Sequence, residues 1–150
     1  MAFYQVRDVM KRSCKDHQGV SEFYEEMQNM VENNEKLDFM LSSMKKHEDE
    51  VIHCMKEYLK EKNSPVLNSW FQYLPQTPKV AEVFSIQEVF SEDEALHIFD
   101  EINQKFEITY DKLSSVSQSE PVQELFNEMK KLTKFSGKRE GWFKIMLDDM

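Results

Sequence analysis

Four stretches of the chain, at about residues 4 to 33, 35 to 61, 92 to 116 and 120 to 136, carry apolar side chains at alternating spacings of three and four. This is the signature of helices that bury one face. Along the first the buried stripe reads Met10, Cys14, His17, Val20, Tyr24, Met27, Val31, and along the third Leu96, Phe99, Asn103, Phe106, Tyr110, Leu113. The second reads Leu37, Leu41, Met44, Glu48, Val51, Met55, Tyr58, and the fourth Val122, Phe126, Met129, Thr133, Ser136. A stripe that recurs every 3.5 residues or so suits nearly parallel helices packed side by side.

The first and third stripes superpose at an offset of 86, which lays His17 over Asn103 and Tyr24 over Tyr110. The second and fourth superpose at an offset of 85, laying Leu41 over Phe126 and Met44 over Met129. The one-residue change falls in a short turn, where length variation is tolerated. One αα-hairpin used twice accounts for both offsets; chance likeness between amphipathic helices is the alternative. The duplication leaves no place for strands and requires both hairpins to pack alike.

Local signals agree with these boundaries. Ser91-Glu92-Asp93-Glu94 is a capping box, and Ser119-Glu120-Pro121 places a cap and a first-turn proline. Hairpin 4–61 and hairpin 92–136 are joined by a crossover, 62–91, long enough to run from one end of a bundle to the other. Ser64-Pro65 and Thr77-Pro78 predict one or two short helices within it. Its Trp70, Phe71, Tyr73, Phe84 and Phe90 are expected to cover a bundle face or a subunit contact. A tail, 137–150, follows, with Trp142, Phe143, Ile145, Met146 and Leu147 expected to dock.

Composition narrows the classes of function. The net charge of −9 argues against a nucleic-acid or anionic-membrane surface, both of which need clustered Lys and Arg. No run reaches the roughly 20 apolar residues of a membrane span, and the opening MAFYQVRDVMKRSCKDH has no signal-peptide pattern. A cytoplasmic location and free thiols at Cys14 and Cys54 are the expectation. With three glycines there is no phosphate-binding glycine loop, and no nucleophile triad or paired-cysteine zinc motif can be placed.

Two helical hairpins joined by one long crossover, with Tyr24 and Tyr110 late in the first helix of each, resemble the rubrerythrin branch of the ferritin-like superfamily. That resemblance implies an all-α, ferritin-like four-helix bundle. It also implies two iron or manganese ions held by a Glu seven residues before each Tyr and a Glu-x-x-His pair on each second helix. Here the positions before the tyrosines are His17 and Asn103, the second-helix seam offers Glu48 and Val51, and the fourth offers Thr133 and Ser136. Only Glu48 matches, with His17 a conceivable substitute.

A literal Glu-x-x-His occurs at Glu50 and His53. At about 100° per residue, His53 lies about 160° around the helix from Val51 and about half a turn from the seam, so both residues are expected on the surface. His47 and His97 are isolated and read as solvated or helix-side residues. What the seams contain is a polar layer of His17, Glu48, Asn103, Thr133, Ser136, Tyr24 and Tyr110, whose groups must hydrogen-bond to one another or to water. His17 and Glu48, on adjacent helices, are expected in contact.

The preferred reading is a non-enzymatic domain without a cofactor that acts through protein contacts, as a homodimer or with another protein, using the aromatic crossover. The alternative is a divergent oxidoreductase or iron-handling protein holding a single zinc or iron ion at a site remodelled around His17 and Glu48, with Cys14 a turn away. A small-molecule site in the Met-rich interior has no polar anchor to recommend it.

Overall fold

A computed structural model describes residues 4–85 and 91–132 of the chain. Four helices dominate it: α1 (Val6–Met30), α2 (Glu35–Leu59), α3 (Glu92–Val116) and α4, residues 120–132. Their apolar faces share one core, in which Tyr24, Met40, Leu41, Phe99, Ile102, Tyr110 and Phe126 are fully enclosed. The expectations for Phe90, Thr133, Ser136 and the tail lie outside the described residues.

Cross-helix contacts give the directions. His17 meets Glu48 and Arg7 meets the Leu59 carbonyl, so α1 and α2 are antiparallel. Tyr24 packs on Phe99 while His17 packs on Phe106, so α1 and α3 are antiparallel. Asp111 meets Lys130 and Ser114 meets Gln123, so α3 and α4 are antiparallel as well. The crossover leaves α2 beside Arg7, near the start of α1, and delivers the chain to α3 near the end of α1. It therefore runs the length of the bundle, fixed on the way by Lys112 donating to the Gln76 carbonyl and by Phe84 lying across Phe23 and Gly19.

The helix boundaries follow from local chemistry. The α1–α2 turn passes through Asn33, whose φ of 57° is left-handed, a conformation Asn tolerates better than most residues. Asn34 then caps α2, its Oδ1 accepting from the Leu37 amide at 3.1 Å. Ser91 caps α3 through the Glu94 amide at 3.2 Å, and Ser119 caps α4 through the Val122 amide at 3.4 Å. In the crossover, Ser64 caps a single helical turn through the Leu67 amide, and Val80–Ser85 is a 3-10 helix just after Thr77-Pro78.

One departure from an all-helical chain stands out. Tyr4–Gln5, expected as the first turn of α1, is a strand (β1) paired antiparallel with Trp70–Phe71 (β2) in the crossover. The ladder continues into the helix start, where the Val6 and Arg7 amides donate to the Ser69 and Leu67 carbonyls, each at 2.9 Å. The first amides of a helix have no partner within it, and here the crossover supplies one. Gln5 accordingly makes no side-chain cap. Arg7 completes the junction, its guanidinium donating to the Leu59 carbonyl at 2.9 Å and the Glu61 carbonyl at 2.6 Å beyond the end of α2.

The crossover aromatics divide between two environments. Phe71 is buried against Phe126, and Phe84 is partly buried against Phe23, as covering residues should be. Trp70 and Tyr73 are 59% and 62% exposed. Among the described residues no helix is long and apolar enough to cross a membrane.

Candidate functional site

The seam of α1 points His17 into the bundle, where the ring is 3% exposed. Its Nδ1 lies 2.6 Å from Glu48 Oε2 on α2, and its Nε2 lies 2.7 Å from the Tyr110 hydroxyl on α3. Three helices thus meet at one imidazole. Phe106, one turn before Tyr110, stacks on the ring at 3.9 Å with the planes within 6°, which fixes its orientation.

Glu48 is 3% exposed and Tyr110 is fully enclosed, so each polar atom of this triad depends on the others. Burial pushes the Tyr110 phenol well above its ordinary pKa; a hydrogen bond with Ser13, one turn before His17, opposes that rise, and the Glu48, Asp16 and Cys14 charges add to it. The phenol therefore keeps its proton throughout the ordinary pH range. Cys14 is buried too, and burial raises its thiol pKa against the opposing charge of Lys56, the environment of an inert thiol.

The remaining members of the expected layer are placed as follows. Asn103 is buried on α3, and Tyr24 is buried two turns beyond His17, edge-on to Phe99 at 5.0 Å. Thr133 and Ser136 lie outside the described residues. Glu50 and His53 are exposed on the outer face of α2. His97 is exposed and sits 3.0 Å from Glu101, one turn on.

His47 corrects the sequence reading: it is 4% exposed rather than solvated. The row Met40, Met44, His47, Val51 carries the signal, because a packed helix buries a stripe wider than a single seam. Ser13 and Ser21 were also missed. Ser21 donates to Asp49 at 2.6 Å, and Lys45 donates to both Ser21 and Asp49, tying α1 to α2 beside the triad. Burial acts to raise the Asp49 pKa, but the bonds from Ser21 and Lys45 outweigh it and hold the carboxyl below its usual range. The 3.2 Å separation of Ser21 and Lys45 would suit a Ser-Lys nucleophile. Asp49 occupies both groups instead, accepting the serine hydrogen bond and pairing with the Lys45 ammonium.

A di-metal centre requires several anionic ligands to balance two cations in a low-dielectric interior. At the positions where the resemblance puts ligands, the described residues supply one carboxylate, Glu48, beside a neutral Asn103 and an apolar Val51. Among the described residues no three His, Cys, Asp or Glu side chains converge as a metal-binding group. Both nitrogens of His17, the conceivable substitute, are already engaged with protein groups. The described residues do not fit a di-iron or di-manganese centre at these positions. Comparison with family models, with characterised proteins and with solved structures returned no match to the chain.

Proposed function

We propose that the protein is a non-enzymatic ferritin-like domain, related to the rubrerythrins by a duplicated hairpin, in which a protein-only polar triad stands where a di-metal centre would be. It works through protein contacts or self-association, as a homodimer or with another protein, and uses the exposed Trp70 and Tyr73 of the crossover. The observation that carries this reading is the engagement of both His17 nitrogens, by Glu48 and by Tyr110. A metal ion would have to displace one of these partners, and a displaced buried group loses its hydrogen bond with no water to replace it. The duplication is supported by burial at matched positions: His17 with Asn103, Tyr24 with Tyr110, Leu41 with Phe126, Met44 with Met129. The β1–β2 ladder, which joins the first residues of hairpin 4–61 to the crossover, is not part of a duplicated hairpin and counts against the duplication.

Anaerobic Fe(II) titration followed by air exposure, with elemental analysis, tests the metal half of the proposal. The expected result is no stoichiometric iron and no oxo-bridged absorption band. Two tightly bound irons per chain, lost on Glu48→Ala, would restore an iron-dependent oxidase. A single tightly bound zinc or iron lost on His17→Ala would favour a remodelled site instead.

A further inference from the structure

We propose that Tyr110 is a one-electron redox site, with His17 as its proton acceptor and Glu48 as the carboxylate that holds the resulting imidazolium. The directions of the hydrogen bonds carry the case. An ionised carboxylate can only accept, so the His17 ring proton faces Glu48 and the other ring nitrogen is left as an acceptor. The phenol proton is then directed at His17 Nε2, 2.7 Å away, while Nδ1–H donates to Glu48 at 2.6 Å. Phe106 keeps the ring in the plane that aims Nε2 at the hydroxyl.

Oxidation of a phenol without a base must pass through a strongly acidic cation radical. With a base in a short hydrogen bond, the electron and the proton leave together. The electron passes to a strong outer-sphere one-electron oxidant, the Tyr110 O–H bond breaks and an N–H bond forms at His17 Nε2. The products are a neutral phenoxyl and an imidazolium whose charge the Glu48 carboxylate balances at its other nitrogen. A one-electron reductant of the thiol or ascorbate class reverses the step by returning the electron, and the proton goes back to the phenol. Full enclosure of Tyr110 keeps the radical from coupling with a second one in solution. The site is thereby a reversible trap for oxidising equivalents. This activity goes beyond the proposed contact role and rests on it at one point, the absence of a metal on Nε2.

The test uses the full chain, first assayed for metal, with a photogenerated outer-sphere oxidant and detection of phenoxyl by optical absorption and electron paramagnetic resonance. The expected result is a persistent neutral phenoxyl that is lost in Tyr110→Phe and retained in Tyr58→Phe. His17→Gln, which can hydrogen-bond but cannot take up the proton, is expected to lose the persistent signal. Circular dichroism checks its fold, and Glu48→Gln provides a second variant with the same expected loss. No phenoxyl in folded, metal-free protein, or an unchanged signal in Tyr110→Phe or in the folded His17→Gln or Glu48→Gln protein, would overturn the inference alone. Stoichiometric metal in the starting sample would overturn the metal-free reading and this inference with it.

Discussion

His17→Ala is expected to lower the free energy of unfolding by about 3 to 5 kcal/mol, the range for leaving a buried carboxylate without its partner. The substitution strands Glu48 in an apolar interior, removes the partner at 2.7 Å from the Tyr110 hydroxyl and leaves a cavity on the face of Phe106. Against a typical total of about 5 to 15 kcal/mol for a domain, such a loss brings the variant close to global unfolding. The paired replacement His17→Phe with Glu48→Leu removes both polar groups while filling the space and keeping a ring against Phe106. It is expected to cost less than either Glu48→Ala or His17→Ala. Urea melts of the three variants measure this directly. Single substitutions costing under about 1 kcal/mol would mean that the triad is hydrated, contrary to its burial.

Phe126→Ala is expected to cost about 3 to 5 kcal/mol, the range for deleting a buried aromatic. Phe126 is fully enclosed on α4 and meets Phe71 of β2 at 5.8 Å, so it joins the fourth helix to the crossover. Trp70→Ala changes the neighbouring strand residue, yet its effect on stability is expected to stay within about 0.5 kcal/mol because the side chain is largely in solvent. The two melts together separate the covering side chain of this strand pair from the one free to meet a partner. A large loss in Trp70→Ala, or little loss in Phe126→Ala, would contradict the division. Sedimentation of the Trp70→Ala protein adds the functional half, since weakened self-association with unchanged stability is the expected outcome.

The seam positions were legible because burial on a helix follows a short period that survives in any single sequence. Counting along two stripes was enough to set His17 opposite Glu48, and the same rotation sent Glu50 and His53 outward. His47 was lost by drawing the stripe too narrow, although its spacing from Met44 and Val51 belongs to the buried face. Ser13 was obscured for another reason: a small hydroxyl beside a seam looks like its polar flank until Tyr110 arrives from a helix far along the chain. The β1–β2 ladder had no local signal at all. Tyr4 and Gln5 continue the apolar rhythm of α1, and what stops the helix at Val6 is a set of amide bonds to carbonyls of the crossover. Only the folded chain brings those groups together.

The proposed ferritin-like resemblance rests on the order and spacing of helices. Antiparallel α1–α2 and α3–α4 pairs and an end-to-end crossover agree with that order. The chemistry expected of the bundle centre changes with a few substitutions, and architecture alone therefore does not determine activity. In the proposed reading, Asn103 and His17 stand at positions where the resemblance puts carboxylates, and hydrogen bonds take the place of a cation there.

The most direct test of the central claim is the nitrogen-15 spectrum of the His17 ring in metal-free protein, before and after addition of excess Fe(II) or Zn(II). One protonated nitrogen, Nδ1, donating to Glu48, and one acceptor nitrogen, Nε2, are expected, with neither resonance moved by metal. A resonance displaced to a metal-coordinated position, or a His17 ring exchanging freely with solvent, would contradict it.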